Sequence, residues 1–325
     1  VEMSSSARIA DAKEDVVLKN SPACMYNNLS SDGEFMVYLS KAHVCVINAS
    51  VCELGTPLRV HLAPYHDHFP WFGARMIDIC GSRGVLVTSR GGAQTFVWRD
   101  GTFIPHGAVS VAESGAAGRS AFMRGAAAVP GKRQIVIGCS NGVLLPCDVS
   151  DRGLIASKAL PCGDHAITDV AATSKYVMAG DDAGDVFVWD AASLRLVDSF
   201  RTDADFPCTS VGLNGDLAIA AYASGHLRVY RLDTCSPLAE VAAHSRCINA
   251  MAVNHGTDQV ATVGEDMRLN VWRLPELSST GTSMMRLQHS SESEEQLFTG
   301  VTFGPGGCVA ATAYDVPTLH VWPTA

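Results

Sequence analysis

Between Cys247 and Arg273 apolar and polar positions alternate in three short runs separated by turn residues. Ile248 to Val253, Gln259 to Val263 and Leu269 to Trp272 each keep the period of two that turns one face of a strand toward a core. Asn254-His255-Gly256 and Gly264-Glu265-Asp266 supply the turns between them. Three strands of this size cannot bury their own faces, so the unit demands neighbours. A β-branched residue followed by an aromatic closes the third run, and the pair recurs as Val97-Trp98, Val188-Trp189, Val229-Tyr230, Val271-Trp272 and Val321-Trp322. Val46-Ile47 and Pro146-Cys147 are weaker copies in the gaps. The last residues of these pairs lie 51, 49, 42, 41, 42 and 50 positions apart. A period in the low forties, lengthened by loop insertions, is that of four-stranded propeller blades, and seven third strands predict seven blades.

The pattern thus predicts an all-β chain with a single seven-bladed β-propeller over 14–325 and a flexible N-terminal tail over 1–13. The blades fall at about 20–62, 74–109, 120–160, 166–201, 208–243, 247–289 and 297–325, the last completed by 14–19. That completion follows from a shortage: only three residues follow Trp322, too few for a fourth strand. An incomplete blade leaves an open edge, and Asp15 to Lys19 is the one unassigned strand signal, so it is expected to close the ring. Within the blades, Ala23 to Leu29 reads as the first strand of blade one and Ser283 to Gln288 as the last of blade six. Pro146 removes a ladder donor and should make its strand irregular.

The unit that opens this section resembles the WD-repeat family. His244 lies four residues before Ile248, Thr262 is on the second strand, and Asp266 lies six before Trp272. The resemblance implies that His244, Thr262, Asp266 and Trp272 form a structural hydrogen-bond relay from loop to strand. In blade four His165 fits the loop histidine, but Ala183 stands six before Trp189 and the carboxylate is displaced to Asp182. The stretches YNNLS, FPCTSV, AAYASGHLRVY, VGEDMRLNVW and TAYDVPTLHVW narrow the resemblance to one small single-propeller branch, most closely over blades five to seven. This implies a protein-assembly platform and identifies no ligand.

Hydrophobic residues make up 47% and charged residues 18% of the 325, enough for a large core. Net charge is −9 and the longest basic cluster is Lys132-Arg133, which argues against nucleic acid and anionic membrane as partners. The eleven cysteines are scattered, with no C-x-x-C pair, and read as reduced thiols of a cytoplasmic or nuclear protein. The polar, acidic N-terminus does not read as a signal peptide, and no apolar run reaches spanning length. His61, His66 and His68 cluster in HLAPYHDHF, but only Asp67 is near as a further ligand, so a polar loop is preferred to a metal site. Arg90-Gly91-Gly92 lacks the lysine and helix of a phosphate cradle. Glu292, Glu294 and Glu295 read as a solvated loop rather than a dock for a basic partner.

No catalytic residues, metal or cofactor are expected, since no nucleophile-elbow, zinc, P-loop or dinucleotide pattern is present. The leading expectation is a non-catalytic scaffold, monomeric by itself, that binds a protein partner on the face of the loops joining each outer strand to the next inner strand. Phe69, Trp71, Phe72 and Phe206 are the candidate aromatic anchors, with Arg75 and Arg246 as a charged rim. The alternative for the aromatics is that they plug grooves between blades. Two other functions compete: a propeller enzyme with a site at the channel mouth, and a phospho-motif reader that clusters Arg75, Arg119, Arg124 and Arg246 across blades.

Overall fold

The computed structural model describes residues 9–10, 13–41, 43–48, 56–58, 70–116, 121–201, 206–276, 284–293 and 295–324. Among these, seven antiparallel sheets are arranged so that each inner strand contacts the next and the ring closes. Six have four strands, and blade three has five because its outer edge is split in two. The second strand of each blade is buried almost throughout, as in Phe35–Leu39, Tyr176–Asp181 and Gln259–Gly264. The two faces of such a strand serve different neighbours. Val85 and Val87 pack toward blade one while Leu86 packs toward blade three. The alternating pattern therefore divides apolar side chains between seven interfaces, each with its own cluster, rather than one shared core.

The ring is sealed by the N-terminus. Glu14–Val17 pairs antiparallel with Thr318–Trp322, so blade seven runs in the spatial order Glu14–Val17, Thr318–Trp322, Val309–Ala313, Phe298–Phe303. Asp15 Oδ1 lies 2.6 Å from His320 Nδ1 across this seam. Further upstream, Ile9 is buried and bridges to Thr324, and Ala10 N donates to Pro323 O at 2.8 Å.

Three expected elements differ. The inner strand of blade one is Ser30–Ser31, not Ala23 to Leu29. Asn27 takes φ 53°, which breaks a strand, and the Asn28 carboxamide does the pairing instead. Its Nδ2 donates to Ala23 O and Leu39 O, both at 2.9 Å, and its Oδ1 accepts from Leu39 N at 2.7 Å. Pro146 leaves its own strand, Val143–Ser150, continuous. Its carbonyl, and so its missing N–H, faces outward, where Ser157 N donates to Pro146 O. The irregularity appears there, as the break between Gly153–Ala156 and Leu160–Pro161. The outer strand of blade six is Arg286–Glu292, which places Glu292 in the strand, ion-paired with Arg268, rather than in a loop.

Six inner strands carry a register shift close to their start. The extra residues are Phe72, Arg124, Thr168, Thr209, Asn249 and Thr299, at equivalent heights around the channel. A bulge of this kind re-aims its side chain. Thr168, Thr209 and Thr299 use theirs on the second strand of their own blade, reaching Gly180 O, Ala221 O and Thr312 O at 3.0, 3.2 and 3.5 Å. Asn249 reaches Phe298 O of the next blade at 2.8 Å.

Candidate functional site

The relay of blade six is assembled from two strands, the turn that joins them and the loop before the inner strand. His244 Nδ1 lies 2.8 Å from Asp266 Oδ1, and His244 Nε2 lies 2.9 Å from Thr262 Oγ1. Trp272 Nε1 donates to the same hydroxyl at 3.2 Å. A carboxylate only accepts, so the imidazole carries its proton on Nδ1, facing Asp266; Nε2 then accepts from the Thr262 hydroxyl, whose oxygen accepts from the indole N–H. Asp266 Oδ2 also accepts from Ser245 N at 3.0 Å. Burial opposes ionisation of Asp266, yet His244 and the amides of Ser245 and Arg268 outweigh it and hold the carboxyl below its usual range. Gly225, at φ 84°, lets the loop pass: a Cβ there would stand 2.2 Å from His244 O.

Blade four does not build this chain. His165 and Asp182 meet only at 3.4 Å and are largely exposed. Its turn is tied instead by Asp181, which accepts from Ala183 N at 3.0 Å and Asp185 N at 2.8 Å and whose carboxyl is raised by burial.

A second cluster lies on the channel axis, where the segment before blade one crosses the mouth. Asn27 Nδ2 donates to Asp169 Oδ2 at 3.2 Å and to Thr209 O at 3.1 Å, while its Oδ1 accepts from Met251 N at 3.3 Å. Asp169 also accepts from Ser210 Oγ at 3.0 Å and Val211 N at 3.1 Å and pairs with Arg75 at 3.2 Å. Arg75 donates besides to Asn27 O at 2.8 Å. One asparagine thus links blades two, four, five and six. Below it a funnel of about 830 Å³ opens on the opposite face, lined by the lower halves of the inner strands.

The candidate anchors do not come together as expected. Trp71 is 8% exposed, at the first position of Trp71–Ile79, and packs between blades one and two. The Phe-Pro-Trp-Phe run starts a strand there instead of forming a loop, so Trp71 is no surface anchor. Phe72 is half-buried with its ring 4.9 Å from Phe122, filling a groove between blades two and three. Arg75 is tied into the channel and supplies no rim. Phe206 is 48% exposed and Arg246 is exposed. Phe69, Arg119 and the histidines at 61, 66 and 68 lie outside the described residues. Tyr26 and Asn27 are the residues that sequence reasoning missed. The signal was two consecutive asparagines, poor strand formers, in a stretch read as strand.

Seven antiparallel blades, an N-terminal strand sealing the last, and a His–Thr–Asp–Trp relay define a WD-repeat β-propeller. Residues 79–323 match the family described as WDR54, and the chain belongs to that family. Among curated relatives, WD repeat domain 54 of Rattus norvegicus is 25% identical over 209 residues, covering 61% of this chain and 62% of the relative. WD repeat-containing protein 54 of Homo sapiens is 24% identical over 213 residues, covering 62% and 63%. The matched region therefore spans less than two thirds of those relatives. The fold is shared with a chain in the crystal structure of the mitotic checkpoint complex, with TM-score 0.75, 14% identity, and coverage of 99% of this chain and 93% of that one. WD-repeat propellers generally serve as protein-interaction scaffolds and are typically not enzymes. Among the described residues, no helix is long and apolar enough to cross a membrane.

Proposed function

We propose that this chain is a non-catalytic cytoplasmic platform, monomeric by itself, that holds a protein partner on the face where the inner strands begin. The observation that carries the reading is Phe206, a large apolar side chain 48% exposed at the entrance to the inner strand of blade five. Tyr26 and Arg246 share that face, so an aromatic anchor, a phenol and a cation stand around one mouth. The carboxylates of Asp169, Asp181 and Asp266 argue against chemistry, since each accepts from internal donors. The cysteines among the described residues are free thiols, which suits a reducing compartment.

Affinity purification of the intact chain and two variants tests the face. Phe206→Ala should weaken partner recovery while stability stays within about 0.5 kcal/mol of the parent, as for other exposed positions. Leu196→Ala, on the exposed outer edge of blade four, should leave recovery unchanged. The opposite pattern would move the partner to the outer edge and overturn the assignment.

A further inference from the structure

Arg124 occupies the position at which blades four to seven carry threonine or asparagine. Those shorter side chains are consumed by carbonyls, whereas Arg124 has no hydrogen-bond or ion-pair partner among the described residues. Its guanidinium lies against the Tyr26 ring, 5.2 Å from the centroid. It lines, with Tyr26, Asn27, Arg75, Thr168 and Phe72, a cavity of about 10 Å³, space for one oxygen-sized atom. Arg75 lies on the same cavity but already serves Asp169 and the Asn27 carbonyl. Arg75 takes up the carboxylate of Asp169, and neither Asp169 nor Asp182 comes within ion-pair distance of Arg124, so its positive charge stands without a contacting counter-ion in a half-buried mouth. Burial, the largest influence, drives the Arg124 guanidinium below its usual range, as expected of a cation held without a counter-ion. Cys247 also lies against Tyr26, and its chain neighbour Arg246 is exposed and has no ion-pair partner among the described residues. An unpaired cation in such surroundings is costly unless an anion meets it.

We propose that the mouth beside Arg124 is a carboxylate seat that receives an aspartate or glutamate side chain of the protein partner. This rests on the partner-binding reading above and adds the chemistry of the contact. The planar fork of an arginine suits a carboxylate. A single negative charge is favoured over a phosphate dianion, because Asp182 and Glu265 also bear on Arg124 and Tyr26.

Chloride can serve as the probe, through the excess ³⁵Cl line broadening that a bound, exchanging ion produces. The intact protein should broaden the line, and a Glu-Glu peptide should remove that broadening at lower concentration than its Gln-Gln counterpart. Arg124→Gln should lose about tenfold in apparent affinity for the glutamate peptide, and Arg124→Lys should retain part of it. Both variants are checked for parental melting. If either melts early, bromide soaked into crystals of the parent, with its anomalous peak at Arg124 or elsewhere, decides in their place. Equal competition by the two peptides, or broadening unchanged in folded Arg124→Gln, overturns the proposal. Chloride displaced by bromide but not by the glutamate peptide also overturns it, since the seat would then hold a free ion. Failure here leaves the effect of Phe206→Ala on partner recovery untouched, so the two readings are separable.

Discussion

At the scale of single residues, the relay shows how much a buried polar chain depends on one hydroxyl. Thr262 sits between a donor, Trp272, and an acceptor, His244, and is itself fully buried. Thr262→Val keeps the shape but leaves the indole N–H and the imidazole Nε2 without partners, and should cost about 1–3 kcal/mol in denaturant unfolding. Thr262→Ser, which keeps the hydroxyl, should stay closer to the parent. Trp272→Ala removes a large side chain between blades five and six and should cost about 3–5 kcal/mol. Asp266 adds a pH dependence. Its folded carboxyl lies below the usual range, so its contribution is complete above about pH 3.9 and disappears as the pH falls through the folded value. These four residues were legible because their spacing around the strands is distinctive. Arg124 stands in the sequence as one of several arginines near strand starts. Its particular position depends on a one-residue register shift that no periodicity announces.

At the scale of the strand, the N-terminal closure is the element with the largest consequence. Glu14–Val17 is itself mostly exposed, yet it covers Thr318–Trp322 and the seam between the first and last blades. Deleting residues 1–20 should cause a large fall in melting temperature or soluble yield, because the edge of blade seven and the cluster around Leu18 open together. The seam also titrates. Burial lowers the His320 pKa and Lys13 adds to this, while Asp15 opposes it, with the net value below the ordinary one. Stability from a neutral His320 is therefore complete above about pH 6.5 and is lost as the pH falls toward the folded value. A melting series from neutral to mildly acid pH should show this decline, and His320→Asn should flatten it. The closing strand was readable as the one strand signal left without a blade. The inner strand of blade one was not, since side-chain amides of Asn28 imitate backbone pairing and composition does not reveal which group makes a bond. Pro146 announces a missing donor in the sequence, but the strand that feels the loss depends on the direction its nitrogen faces, which register sets.

At the scale of the whole molecule, Asn27 and its neighbours stop the channel at one end and leave the funnel open at the other. The disc is therefore a cup and not a tube. Whatever enters the cup must leave by the rim it crossed, and nothing held there can touch a guest on the closed side. Two partners could occupy the two sides at once without competing for the axis, with the plug of Asn27 and Arg75, which borders both the mouth and the funnel, standing between them.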